Sequence, residues 1–333
     1  MLNIITEINR KKWSDFVISH ACGNIFQTPQ IFDVYANLSK WKPVVLAAVD
    51  DEDNISGILL AVVQRELNGA FAKFTSRAII WGGPLVAGPD KDRAAVVLLE
   101  GLDKILKKEV IYIQVRNLYD ASASEIYFKN HGYEHEGHLN FLIDLEMGEQ
   151  CLWKKVYPAR RNQIKSAEKK GVTVRTVSSE IDIEESYNIL KEVYKRINIP
   201  FANKELFDGI YKLLFPKGMA NVFLATYNNK IIGVLYLLIY KEYLYTWYAG
   251  SLSNYYNQQP NAILYWEAIK WGFQNGYKVF DFGGAGSPHR IYGVRRFKEE
   301  FGGKLVNYGR FQKTYRPYAF AAINAGLKLW QKI

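Results

Sequence analysis

Cysteine is almost absent from this chain: Cys22 and Cys151 stand far apart, with no CxxC and no histidine pair nearby. That excludes a disulfide framework or a thiolate metal site, and both thiols are expected in the core. Histidine is scarce too, at five residues, and His131, His135 and His138 lack the spacing of a metal-ligand set, so no metal is expected. No apolar run approaches the roughly 18 residues that cross a bilayer. Glu7, Arg10, Lys11 and Lys12 interrupt the stretch where a signal peptide would be unbroken and apolar. A soluble, cytoplasmic protein is expected. No Gly/Ser-rich or Pro-rich linker divides the sequence, and no stretch of Glu/Lys-rich heptads announces a coiled coil.

What is present is bulk, aromatic surface and positive charge. At 333 residues the chain exceeds what one core usually serves, so two domains are expected. The formal charge of +10 is unevenly placed. Cys151–Gly171 and Ser287–Arg316 each carry a net +6, which leaves the remainder slightly acidic. Such concentration points to an electropositive site in the second half that would take an anionic partner.

The two halves echo each other in order. VLAAVDDEDNISGILL from Val45 matches VFLATYNNKIIGVLYL from Val222, each a β-hairpin with an Asp- or Asn-rich turn. WGGPL from Trp81 matches YAGSL from Tyr248, and helical segments follow over Arg93–Lys108 and Asn261–Asn275. Strands VIYIQV from Val110 and KVFDFG from Lys278 come next. Last, FKNHGYEHEGHLNFLI from Phe128 matches FKEEFGGKLVNYGRFQ from Phe297, with Phe then Lys in one register. The repeat implies an α/β (mixed α+β sheet) architecture of two tandem, packed domains. The boundary is expected at Met147–Trp153, giving domains 1–147 and 148–333.

Three stretches carry a family resemblance: WKKVYPARRNQIKSAEKKGVTVR from Trp153, YAGSLSNYYNQQPNAILYWEAIKWGFQNGYKVFDFGG from Tyr248, and GVRRFKEEFGGKLVNYGRF from Gly293. Together they resemble the FemABX family of the GNAT acyltransferase superfamily, as does NIFQTPQIFDVYANL from Asn24. The resemblance implies tandem GNAT-like domains in the compact form, without the helical hairpin inserted in some members. It implies transfer of an aminoacyl group from aminoacyl-tRNA to an amine of a peptidoglycan precursor, with no bound cofactor. One departure is visible: relatives acting on nucleotide-linked muramyl peptides tend to carry a Lys in the N-terminal helix, where this chain has Tyr35 and Asn37.

Candidate site residues follow from both readings. Pro158 opens a helix and Gly171 closes it, so Arg161, Lys165 and Lys169 fall on one face with Arg160 beside them. Such a stripe can neutralise phosphates, or it can be a solvated surface; by resemblance, Arg160 or Arg161 would hold acceptor phosphate or tRNA. Lys298 matches the lysine that relatives place at the reaction centre, beside an aromatic residue, here Phe297. A fixed ammonium there would stabilise the oxyanion formed when an amine attacks an ester. Asp281, Gly283 and Gly284 belong to DFGGAG after a strand, where small residues admit a substrate and Asp281 can orient the amine or take its proton. The same aspartate would also serve as a turn former.

Tyr248 offers a surface on which a base or sugar can stack, core packing being the other reading. Asn261 begins the helix after QQP, where a CoA-binding GNAT domain would ordinarily show glycines. Their lack argues against a CoA donor. Two rival functions stay open: an N-acyltransferase of surface polysaccharide that uses acyl-CoA or an acyl carrier protein, and a non-catalytic RNA- or glycan-binding protein. PYAFAAINAGLKLWQKI, 317–333, reads as an amphipathic helix that packs on its own domain or grazes the inner face of a membrane.

Overall fold

A computed structural model describes residues 2–65, 75–289 and 293–330. The chain forms two compact units, 1–137 together with 308–333, and 138–307. The first stretch supplies β1 (Asn3–Ile5), α1 (Arg10–Ser19), α2 (Pro29–Ala36), β2 (Trp41–Val49), β3 (Ile55–Gln64), β4 (Arg77–Trp81), β5 (Leu85–Val86), α3 (Lys91–Leu106), β6 (Tyr112–Arg116), α4 (Glu125–Asn130) and β7 (Glu134–Glu136). The second unit holds β8 (Leu139–Asp144), α5 (Glu149–Lys155), α6 (Pro158–Lys169), β9 (Thr173–Thr176), α7 (Glu180–Arg196) and α8 (Lys204–Gly209). It continues with β10 (Ala220–Tyr227), β11 (Lys230–Tyr240), β12 (Tyr243–Ser251), α9 (Pro260–Gln274), β13 (Val279–Gly284), α10 (Gly293–Glu299) and β14 (Lys304–Asn307). The chain then returns to the first unit with β15 (Arg310–Thr314) and α11 (Pro317–Trp330); residues 331–333 of the expected terminal helix lie outside the described residues.

Each unit is a mixed sheet, as the repeat implies. The first runs β1-β2-β3-β4-β6-β15-β7, with β5 on β3, and the second β14-β8-β13-β12-β11-β10-β9. The hairpins form where the sequence places them. Asn228 and Asn229, both at positive φ, turn β10 into β11 because Asn tolerates the left-handed backbone that a tight hairpin requires. The bounds of α6 also agree, with Pro158 at the first turn and Gly171 at φ 84° just beyond the end.

The domain division differs from the expected 1–147 and 148–333. The final strand of each repeat pairs in the other unit's sheet: β8 lies between β13 and β14, and β15 between β6 and β7. The aligned FKNHG and FKEEF segments are therefore equivalent as elements, but the strand after each belongs to a different core. Phe311 shows the consequence, being buried against Phe128 with ring centroids 4.2 Å apart. A second expectation also fails: Cys151 is exposed on α5, and Cys22 is half-buried.

Candidate active site

The two sheets differ at one place that matters chemically. In the first unit, β4 pairs in parallel with β6 over its whole length, from Arg77↔Tyr112 to Trp81↔Arg116. In the second unit, the equivalent strands β12 and β13 pair only from Tyr243↔Val279 to Tyr245↔Asp281. Beyond that register β12 runs on to Ser251 and β13 to Gly284, so the strands part and leave a fork with Asp281 at its base. Bulges mark both arms. Trp247 is the extra residue of β12 against β11, and Phe282–Gly283 interrupt the register of β13 against β8. Gly283 sits at φ 68°, which any side chain would strain.

In the first unit the pairing of β4 with β6 leaves no such fork. A separate gap, between β3 and the end of β4, is bridged by Gln27, a buried residue whose amide donates to Leu60 O at 3.1 Å and Trp81 O at 2.8 Å and accepts from Leu60 N at 2.7 Å. Gln27 thereby stands in for the strand partner that Leu60 would otherwise need.

Asp281 is 2 % exposed. Its Oδ1 accepts from Asn140 Nδ2 at 2.7 Å and from Gly283 N at 2.6 Å. Its Oδ2 has no hydrogen-bond partner among the described residues. Burial raises its pKa above the usual carboxylate range, against the opposing pull of Asn140, the Gly283 N–H and the Lys298 charge. Such a carboxylate, half satisfied and poised toward protonation, is a suitable proton acceptor.

Lys298, on α10, is 7 % exposed. Its Nζ donates to Phe282 O at 2.6 Å, Gly283 O at 3.1 Å and Gly284 O at 2.9 Å. An ammonium has three donors, and all three are engaged by the turn that follows Asp281. Burial lowers its pKa to about 8, with Asp281 acting in the opposite sense. In this arrangement Lys298 staples the carbonyl-lined arm of the fork and sets its charge beside Asp281.

The remaining candidates divide. Arg160 is buried and turned inward, donating to Glu300 at 2.8 Å and Gln163 at 2.6 Å, with its guanidinium 4.1 Å from the centroid of the half-buried Phe297. Burial pulls its pKa down while Glu300 pushes it back. Tyr265 and Phe301 complete the aromatic wall around Phe297. Arg160 and Phe297 thus support α10 from behind, and the one-stripe reading of α6 holds only for Arg161, Lys165 and Lys169. Of these, Lys165 and Lys169 are exposed and Arg161 half-exposed.

Tyr248 belongs to a ring cluster on β12 with Tyr194, Phe201 and Phe207, at centroid distances of 5.6, 5.7 and 5.0 Å. Asn261 stands in the first turn of α9, its buried Oδ1 without a hydrogen-bond partner among the described residues. Hydrogen bonds therefore unite Asp281, Gly283, Gly284 and Lys298 into one group, and the other candidates lie on separate surfaces of the same unit. Sequence reasoning missed Asn140, because it sits on β8, a strand assigned to the wrong domain. A polar residue within an otherwise apolar strand, LNFLI, was its one visible signal.

Residues 154–299 match the acetyltransferase (GNAT) domain. The matched span contains the fork and excludes the closed first unit. No curated protein matches the chain by sequence. Among solved structures, FemX superposes with a TM-score of 0.73 at 16% identity, covering 96% of this chain and 99% of that one. The C-terminal domain of a putative lysylphosphatidylglycerol synthetase from Agrobacterium fabrum gives 0.60 at 13% identity, covering 95% of each. A tandem GNAT protein from the clavulanic acid biosynthesis pathway gives 0.60 at 7% identity, covering 95% of this chain and 99% of that one. At such identities the likeness is one of fold. The chain thus shares the duplicated fold of FemX and of the tandem GNAT protein, and its second unit carries the match to the acetyltransferase (GNAT) domain.

Proposed function

We propose that the chain transfers an aminoacyl group from aminoacyl-tRNA to an amine of a cell-wall precursor peptide. The observation that carries the choice of donor is the start of α9. A CoA pyrophosphate needs free backbone N–H groups at that helix end. Here Pro260 has none, and the N–H of Ala262 already donates to Gln259 O at 3.1 Å, so of the first three positions only Asn261 keeps its N–H for a ligand. The exposed face of α6, by contrast, offers Arg161, Lys165 and Lys169 to a phosphate backbone.

In the proposed reaction the acceptor amine enters the fork and attacks the ester carbonyl of the aminoacyl group. Asp281 Oδ2 takes the proton that the amine loses and passes it to the ribose oxygen, which leaves as the hydroxyl with the electrons of the broken ester bond. Lys298 acts by position, holding the 282–284 carbonyls in place and keeping a positive charge beside the carboxylate. Closure of the first unit at β4 and β6 supports a single reaction centre per chain.

The acetyltransferase family match favours a second reading, with acyl-CoA as donor. Purified protein given a radiolabelled aminoacyl-tRNA pool and a nucleotide-linked muramyl peptide is expected to move label into the peptide. Consumption of acetyl-CoA alone would instead establish the second reading. Turnover of neither donor would leave only the binding role.

A further inference from the structure

We propose that Asn140 is a positioning residue of the reaction centre, fixing the Asp281 carboxyl so that Oδ2 alone stays open to the acceptor amine. The inference rests on the reading above that Asp281 takes the proton. The sequence LNFLID alternates across β8: Leu139, Phe141 and Ile143 enter the core of the second unit, and Asn140 falls on the other face with Leu142. Against β13 the register runs from Asp281↔Leu142 to Gly284↔Asn140, a step of three residues against a step of two. The bulge leaves Asn140 opposite a residue with no side chain, and its amide turns to the carboxylate instead, Nδ2 donating to Asp281 Oδ1 at 2.7 Å.

Both ends of that amide are committed. Phe141 N donates to Asn140 Oδ1 at 2.7 Å, and a backbone N–H can only donate, so the amide nitrogen must face Asp281. Asn140 on β8 and the Gly283 N–H on β13 therefore hold the same carboxylate oxygen from two strands. A carboxyl group turns readily about its last torsion unless donors restrain it. Two donors on one oxygen resist that rotation and leave the other oxygen for the substrate. Of the elements around the carboxyl, α10 brings the Lys298 charge, β12 the strand neighbour Tyr245, and β8 Leu142 and Asn140. A donor to the charged form favours it, so Asn140 opposes the upward pull of burial on Asp281. The first unit also carries a cross-strand polar pair between β6 and β15, with Gln114 Nε2 donating to Gln312 Oε1 at 3.2 Å, but neither of those amides can take a proton.

The test compares the full chain as wild type, Asn140→Leu, Asn140→Asp and Gln312→Leu by two readouts. One is an NMR titration of the labelled Asp281 carboxyl carbon, assigned by its loss in Asp281→Asn, which needs no substrate. The other is the pH profile of transfer. Asn140→Leu removes the donor and is expected to move the Asp281 midpoint and the acidic limb up together by about 1–2 pH units, the worth of a hydrogen bond to a charged group. Turnover on the plateau should fall on the order of tenfold to a hundredfold as the carboxyl loses its fixed orientation. Asn140→Asp keeps the shape and the acceptor for the Phe141 N–H, and two carboxylates in contact share one proton, so both readouts should move further. Gln312→Leu should leave both where the wild type has them. A midpoint that stays in place in the Asn140 variants overturns the proposal. A midpoint that moves while the limb does not overturns it as well, and places the fault in Asp281 as proton acceptor rather than in the pairing. An equal shift in Gln312→Leu also sinks it, since that would mark a general loosening of the fold.

Discussion

Lys129 and Lys298 occupy the same register in the two repeats, yet Lys298 is buried against three carbonyls whereas Lys129 is 61% exposed and paired with Glu125 at 2.7 Å on its own helix. Duplication accounts for the lysine in both halves. Only the fork between β12 and β13 accounts for the burial of one. Replacing Lys298 with Met leaves three carbonyls without a donor, at about 1–3 kcal/mol for a buried unsatisfied group, and loosens the arm that carries Gly283 and Gly284. Transfer is expected to fall on the order of a hundredfold, the cost of a displaced reaction centre. Lys129→Met should shift neither activity nor melting temperature measurably, since a surface ion pair is worth under about 1 kcal/mol. Equal losses in the two variants would remove the special status of the fork.

Asp281→Asn separates proton transfer from packing. The amide keeps an oxygen for Asn140 and the Gly283 N–H but cannot accept a proton, so turnover should drop by about 10²–10⁴ while the fold persists. The wild-type pH profile should be bell-shaped. Its acidic limb rises as Asp281 ionises above the usual carboxylate range, and its alkaline limb falls near pH 8 as Lys298 loses its charge. Stability carries the same signature. Because the folded pKa of Asp281 is raised, stability declines as pH climbs through the window above 3.8. Because that of Lys298 is lowered from 10.5 to about 8, stability rises again between those two values. Denaturant titrations of Asp281→Asn across pH should lose the first of these slopes.

The elements themselves were legible in the sequence because each rests on local chemistry: the Asn228–Asn229 turn, the Pro158 start and Gly171 stop of α6, and the apolar run of β11. Asp281 and Gly283 could be singled out because small residues after a strand and a charge within an apolar strand are unusual, whereas Lys298 stood out only through the family resemblance. What could not be read was long-range pairing. Nothing in LNFLI says that this strand adds to β13 rather than to β6, because both neighbours offer the same backbone groups and similar apolar faces. Nor does spacing say which of two adjacent arginines turns inward. Only the partner Glu300, remote in sequence, decides that for Arg160.

That pair gives a contrast within one helix. Arg160 and Glu300 are 8% and 13% exposed in their side chains, and Arg296 also reaches Glu300 at 3.1 Å. Arg160→Met should cost on the order of 1–3 kcal/mol, because Glu300 then keeps only the exposed Arg296 as its partner, which a lower melting temperature would register. Arg161→Ala, Lys165→Ala and Lys169→Ala should leave stability nearly unchanged. In binding assays with tRNA each should weaken affinity and reduce the salt dependence by about one counterion. A normal salt slope in the triple variant would move the polyanion contact away from α6.

The exchanged strands decide how the chain can be cut. A fragment 148–333 lacks β8, which pairs with both β13 and β14, so one sheet edge opens and β14 loses its partner. A fragment 1–147 lacks β15 and therefore the buried Phe311 that stacks on Phe128. Both are expected to aggregate or to melt without cooperativity, because unpaired strand edges and exposed core faces invite association. Residues 138–307 keep every strand of their sheet and should unfold in one sharp transition. For the first unit, Glu136 and Arg310 are direct cross-strand partners, so a tight Gly-containing turn can join 137 to 308 in place of the excised unit. That fused chain should show a cooperative melt, whereas 1–137 alone should not. If 148–333 proved as well folded as 138–307, β8 would be dispensable, and the exchange would be an ornament on two otherwise self-sufficient repeats.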